Sequence, residues 1–382
     1  MSDTMGRFEH GGDIYAHKGA IDFSANINPL GMPSAVIEAI RQNASNYDAY
    51  PDHECRELRQ AIARAEGTRP EYVICTAGAS DLIQRVCLAF RPRAALVTAP
   101  CFSGYEEALE QAGTTIVRHV LREEDGFNVT DTILGFTKSG EVPSPDRGMS
   151  EPGAEASSPG GRVSGLADAP RPQCPVDLVF LCSPNNPTGL TIPRELLERI
   201  IAEAHEADVP VVLDECFLDF THERSAVDLC ERFPNLIVMR AFTKLYAMAG
   251  LRLGYGICTD ADLLGRLKAM GQLWAVSTPA QVAGIAALGV PQWAEETRAY
   301  VDEQRVRLAE GLEACGMRVV PGEANYLMFR SPRSLYDELL ARGFLIRRCE
   351  NYVGLDNSWY RVAVRTEEEN AAFLAALKEV CS

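Results

Sequence analysis

The chain has 382 residues, 46% hydrophobic and 24% charged, with a formal charge of −16. That length allows a large core and suggests two domains, and the composition is that of a soluble globular protein. The acidic balance argues against nucleic acid or an anionic membrane as main partner, but leaves room for a small anionic ligand held by a pocket's local field.

No basic region followed by an apolar stretch opens the chain, so no secretory signal is expected. No apolar run approaches the roughly 20 residues of a membrane span. Tyr50-Pro51 precedes a helix expected to begin near His53. A strand over 72–76 then leads through Gly78-Ala79-Ser80 into a helix over 81–90. Short apolar runs at 95–97, 178–181, 211–213 and 236–239 read as strands, and their near-continuous hydrophobicity fits a largely parallel sheet covered on both faces. A helix is expected over 193–207, with Pro193 as its first helical residue. The Arg252-Leu253-Gly254-Tyr255 stretch reads as a turn. Beyond it, a long helix over 292–315, strands at 326–329, 344–347 and 360–364, and helices at 334–342 and 366–380 form an α+β unit.

These elements predict an α/β protein with a large domain at 45–275 and a smaller one at 276–382, the segment 1–44 packing with the latter. Residues 138–175 are rich in Ser, Gly and Pro with no helical or strand period, and read as a disordered surface insertion. The twelve cysteines include no Cys-x-x-Cys pair. Most, such as Cys75, Cys87, Cys182 and Cys258, lie in apolar segments and read as small hydrophobes rather than metal ligands. That usage suits a reducing cytoplasm.

The chemistry-bearing residues come in a fixed order: Asn186 in Asn185-Asn186-Pro187-Thr188-Gly189, Asp214 at a strand end, Lys244 in Ala241-Phe242-Thr243-Lys244, and Arg252. Each is a residue type that pyridoxal phosphate chemistry requires. A lysine amine condenses with an aldehyde, a carboxylate keeps a pyridine nitrogen protonated, and cationic or amide donors hold a phosphate. Gly78-Ala79-Ser80, opening a helix, has the geometry for a phosphate at a helix N-terminus. A solvated lysine or a turn-capping aspartate would be the bland reading of any one member alone.

Taken together, this order resembles the aspartate aminotransferase superfamily of pyridoxal phosphate enzymes, called fold type I. The resemblance implies that Lys244 carries the cofactor, Asp214 faces its ring nitrogen, and Asn186 donates to its 3′ oxygen. It further implies that Phe102 stacks on the ring, while Gly78, Ala79, Ser80, Thr243 and Arg252 hold the phosphate. Tyr50 would reach the phosphate in a second subunit, making the protein a homodimer with shared sites. Phe217 departs from the tyrosine often found three residues after the aspartate.

Segments toward both ends narrow the resemblance: His10-Gly11-Gly12-Asp13 with residues 22–31, and residues 345–355 with 360–365. These look like the threonine-phosphate decarboxylases of cobalamin biosynthesis, close relatives of histidinol-phosphate aminotransferases. On that resemblance Arg361 pairs with a substrate carboxylate, Arg347 lies near the substrate phosphate, and His10 and Asn26 close over the ligand. Adjacent strand residues face opposite ways, so Arg347 rather than Arg348 is expected in the pocket. Decarboxylation and transamination both remain open from the cofactor residues alone. A non-catalytic regulator built on this fold is disfavoured by the intact lysine, aspartate and arginine and by the acidic charge.

Overall fold

The computed structural model describes residues 10–137 and 175–382. The stretch at 138–175 read as an insertion lies outside the described residues, save for Pro175. The first half carries β1 (Ile21–Asp22), α1 (Ser34–Gln42), α2 (Arg56–Glu66), β2 (Val73–Thr76), α3 (Ala79–Phe90), β3 (Ala94–Ala99), α4 (Ser103–Gln111) and β4 (Thr115–Val120). There follow β5 (Leu178–Cys182), α5 (Arg194–Glu206), β6 (Val211–Asp214), β7 (Leu236–Ala241), β8 (Gly254–Ile257), α6 (Ala261–Ala269) and α7 (Thr278–Leu288). The remainder is α8 (Gln292–Ala314), β9 (Arg318–Val319), β10 (Tyr326–Arg330), α9 (Tyr336–Ala341), β11 (Phe344–Leu345), β12 (Arg347–Arg348), β13 (Trp359–Ala363) and α10 (Glu367–Cys381).

Seven strands form the main sheet in the order β2-β8-β7-β6-β5-β3-β4, and only β8 runs antiparallel to its neighbours. Alternate residues of the central strands enter different apolar clusters. Val179, Leu181, Val211, Leu213, Leu236 and Val238 belong to one; Leu178, Phe180, Val212, Ile237 and Met239 belong to the other. Both faces are therefore covered by apolar packing, which is why these strands read as unbroken apolar runs. Each fully buried Val, Leu or Ile contributes roughly 1.5–3 kcal/mol relative to exposure.

A second sheet, antiparallel throughout, has the order β12-β13-β10-β9. Its cluster takes Leu308 and Leu312 of α8, Leu339 of α9, and Phe373 and Leu377 of α10. Thr366 and Glu369 cap α10 reciprocally, satisfying donors that a helix start leaves unpaired. The N-terminal segment joins this unit: β1 pairs in parallel with β11, and Phe23 stacks on Phe373 at 4.7 Å between ring centroids. By contrast α1, like α2, packs on α7, and Val36 lies in the first cluster of the main sheet. No helix among the described residues is long and apolar enough to cross a membrane.

The structure differs from the sequence reading at several points. Residues 252–255 do not form a turn alone, because Gly254 already begins β8. The single strand expected over 344–347 is two, β11 and β12, in different sheets, with Ile346 between them. Pro193 stands at the cap before α5 with an extended backbone (ψ 134°), not as the first helical residue. The helix expected near His53 starts at Arg56, after Cys55 in a left-handed conformation (φ 47°). Cys87, Cys182 and Cys258 are buried, whereas Cys75 is only half-buried. Among the described residues, no cluster of His, Cys, Asp or Glu is arranged for a metal ion.

Candidate active site

Strands β2, β3, β5, β6 and β7 all end at one edge of the main sheet, and their carboxyl ends bring Thr76, Ala99, Cys182, Asp214 and Ala241 together. Ligands of open parallel sheets gather at this edge. A cavity of about 430 Å³ opens there, a size suited to a small-molecule ligand. The sequence-predicted residues His10, Asn26, Ala79, Ser80, Phe102, Asn186, Asp214, Thr243, Lys244, Arg252, Arg347 and Arg361 all line it. Tyr50 does not: it is 79% exposed and stacks on Trp274 at 4.5 Å.

Gly78 adjoins the cavity at the head of α3, with φ +87°, and a Cβ there would come within 2.7 Å of Arg252 Nη2. Gly254 is needed on the other side, because its Cβ would lie 2.8 Å from Ala79 N and Gly78 C. Helix α3, the Arg252 guanidinium and the start of β8 thus meet at a distance only glycines permit. The result is a cradle of backbone N–H groups, the Ser80 hydroxyl and a cation at a helix N-terminus, matching the requirements of a phosphate.

Asp214 is buried, and both of its oxygens accept hydrogen bonds. The Tyr105 hydroxyl donates to Oδ2 at 2.5 Å, and the Cys216 amide donates to Oδ1 at 2.8 Å. Burial pushes its carboxyl pKa up, while the donations from Cys216 and Tyr105 pull it down. Burial pushes Lys244 down to about 8, and the nearby Arg361 charge adds to the effect. A buried amine of this kind is a far better nucleophile at neutral pH than a surface lysine. Its Nζ lies 5.5 Å from the centre of the Phe217 ring, where the expected tyrosine would have placed a phenol.

On the opposite wall, Arg347 and Arg361 are 3% and 5% exposed and stand directly across from each other on β12 and β13. Arg361 donates to Asn186 Oδ1 and, at 2.7 Å, to the Ser24 carbonyl. Because a guanidinium can only donate, the Asn186 oxygen faces Arg361 and its amide nitrogen is left for another acceptor. Arg347 donates to Asn351 Oδ1 at 2.8 Å. His10 packs on Phe102 with centroids 5.7 Å apart and lies 3.9 Å from Glu107. Burial and then the Arg347 charge lower its pKa, which Glu107 opposes. Arg348 pairs instead with Glu350 at 3.5 Å, and Arg365 with Glu369 at 3.0 Å.

Residues 18–135 and 155–377 match the family described as aminotransferase class I and II. The chain belongs to this family. It is 36% identical over 365 residues to the threonine-phosphate decarboxylase of Salmonella typhimurium, covering 94% of this chain and 91% of that protein. It is 34% identical to a histidinol-phosphate aminotransferase of Desulfitobacterium hafniense, over 94% and 91% of the two chains. A solved histidinol-phosphate aminotransferase from Clostridium acetobutylicum superposes with a TM-score of 0.80 at 29% identity, covering 94% of this chain and 98% of that one.

The sequence reading of the site omitted Tyr105, Cys216 and Tyr352, all on the cavity wall. Tyr105 had a usable signal: it follows Phe102 by three residues at the start of α4, so the two share a face. Tyr352 had none, because it lies in an irregular link between β12 and β13.

Proposed function

We propose that this protein is a pyridoxal 5′-phosphate-dependent lyase that converts L-threonine O-3-phosphate to (R)-1-amino-2-propanol O-2-phosphate and carbon dioxide for cobalamin biosynthesis. The observation that carries the reading is the Arg347–Arg361 pair. Like charges directly opposite on neighbouring strands are destabilising, and burial compounds this. Two cations side by side on a cavity wall suit a ligand that carries two anions. Threonine phosphate brings two, a carboxylate and a phosphate on neighbouring carbons.

The residues present fit the cofactor. Lys244 would hold it covalently, Asp214 would face the ring nitrogen, and Phe102 would cover the ring. Asn186 would donate through its free amide nitrogen, and the Gly78–Ser80 turn, Thr243 and Arg252 would hold the phosphate. When bound, the cofactor supplies an aldehyde carbon and an electron-withdrawing protonated ring. Arg361 grips the substrate carboxylate and Arg347 the phosphate, with His10 and Asn26 beside them. The Cα–carboxylate bond breaks, its electron pair stays with Cα, and carbon dioxide leaves. Lys244 then delivers a proton to Cα, a task suited to an amine titrating near 8. We further propose a cytoplasmic homodimer in which the exposed Tyr50 reaches the cofactor phosphate of the second subunit.

The 34% identity to a histidinol-phosphate aminotransferase favours a second reading, amino transfer between histidinol phosphate and 2-oxoglutarate. Both readings are tested by incubating the loaded protein with O-phospho-L-threonine, O-phospho-L-serine, or histidinol phosphate plus 2-oxoglutarate, and identifying products by mass. Carbon dioxide and aminopropanol phosphate, with no oxo acid required, are expected. Glutamate formed at a catalytic rate, with no carbon dioxide from threonine phosphate, would overturn the decarboxylase reading in favour of the aminotransferase.

A further inference from the structure

Between the two opposed arginines stands a side chain with no role so far. Tyr352 is buried, on the link from β12 to β13, and lines the same cavity. The face of its ring lies 5.3 Å from Arg347 Cζ. Its hydroxyl oxygen lies 3.5 Å from Arg361 Nη1 and 3.5 Å from Asn186 Oδ1. One rigid ring therefore touches both cations, which the strand register places directly opposite each other. The ring's electron-rich face attracts Arg347, while the 3.5 Å contacts of the hydroxyl are at the long limit of hydrogen bonding.

We propose that Tyr352 is a positioning residue that sets the reaction outcome by fixing the separation of the Arg347 and Arg361 guanidinium groups. The inference rests on the function proposed above. A substrate held at carboxylate and phosphate together can turn about its Cα–N bond only as far as its two anchors allow. The bond that breaks is the one held perpendicular to the electron-withdrawing ring, because only its electrons overlap the π system. With the anchors at a fixed spacing, the carboxylate bond holds that position. With the spacer gone, Arg347 relaxes and the Cα–H bond visits it. In that side reaction Lys244 would take the α-proton, and the bound cofactor would supply the aldehyde carbon that accepts the amino group. The substrate would leave as a 2-oxo acid whose oxo oxygen comes from water, its carbon oxidised by two electrons as the aldehyde carbon is reduced to an amine.

The test compares Tyr352→Leu, which lacks a π face, with Tyr352→Phe, which keeps it. In the loaded enzyme with O-phospho-L-threonine, the ratio of carbon dioxide to 2-oxo acid should fall about tenfold for leucine, the size a desolvated cation–π contact supports. For phenylalanine the ratio should hold within about twofold, because a long hydrogen bond contributes little. A non-reacting probe gives a second readout: calorimetry with 3-phosphoglycerate, which carries both anions but no amine. The leucine variant should bind it about tenfold more weakly while its affinity for inorganic phosphate changes less than about threefold. Tyr352→Met, also without a π face, replaces leucine if that variant melts below the assay temperature. An unchanged product ratio and unchanged 3-phosphoglycerate affinity in a folded variant would overturn the proposal, as would phenylalanine behaving like leucine. If the wild type releases no carbon dioxide, it is the proposed function that fails, and the 3-phosphoglycerate arm alone decides whether Tyr352 spaces the anchors.

Discussion

Replacing Tyr105 with Phe removes one oxygen and keeps the ring between Phe180 and Phe102, so the perturbation is a single hydrogen bond. Donor and acceptor are both buried and 2.5 Å apart, and a hydrogen bond to a charged group is worth about 1.5–3 kcal/mol. Burial raises the Asp214 pKa, and the donation from Tyr105 is one of the contacts opposing that rise. A carboxyl with a raised folded pKa contributes stability that is complete below the unfolded value and lost as pH climbs through the folded value. Without the phenol the folded pKa rises further, so the variant loses more than the wild type wherever Asp214 is ionised. Urea unfolding of the cofactor-free protein should show Tyr105→Phe less stable by about 1.5–3 kcal/mol at pH 8, with an unchanged denaturant slope. The gap should narrow as pH falls through the raised folded value of Asp214. Since Asp214 is proposed to hold the cofactor ring nitrogen protonated, cofactor affinity should drop by about tenfold or more. Equal stabilities at pH 8, or a gap indifferent to pH, would refute an action of Tyr105 through the Asp214 charge.

Glu215, buried beside Asp214, has its carboxyl pushed up by burial from 4.5 to about 7, with Arg240 and the Ala226 amide opposing. Glu215 should therefore contribute a decline in stability of at most about 3 kcal/mol between about pH 4.5 and 7, and Glu215→Gln should remove that part of the slope in urea unfolding. In cofactor-free protein, labelling of Lys244 by an amine reagent should rise with a midpoint near pH 8, whereas surface lysines rise near about 10.4. A peptide map locates the label. Gly78→Ala forces a side chain into a left-handed backbone and against Arg252 Nη2; fluorescence titration should show cofactor binding weakened about tenfold or more, while Gly19→Ala, with the same backbone sign but open space, should leave it unchanged.

How far the sequence reveals the molecule depends on whether a feature is local. The strands over 178–182, 211–214 and 236–241 are legible because burial on both faces leaves almost no polar residue in them. The antiparallel β8 is not, for a physical reason. Gly254 and Gly256 weaken a strand signal, yet both are required. A Cβ at Gly254 would meet the Gly78 backbone at 2.8 Å, and one at Gly256 would meet Leu82 at 2.8 Å. The same close packing that shapes the phosphate cradle thus disguises the strand as a turn. Lys244, Asp214 and Asn186 are legible because each lies at a strand's carboxyl end or within four residues of it, and strand ends in a parallel sheet converge. The Arg347–Arg361 opposition is not legible in that way. Fourteen positions separate the two arginines, and short-turn rules fix hairpin register only for tight loops. The link between β12 and β13 is too long for them. Only the pairing of Arg347 with Arg361 and of Arg348 with Tyr360 shows that Arg347, and not Arg348, meets Arg361 at the cavity. That same long link is what allows Tyr352 to fold back between them. A tight turn would have joined the strands without supplying a side chain to hold the two charges apart.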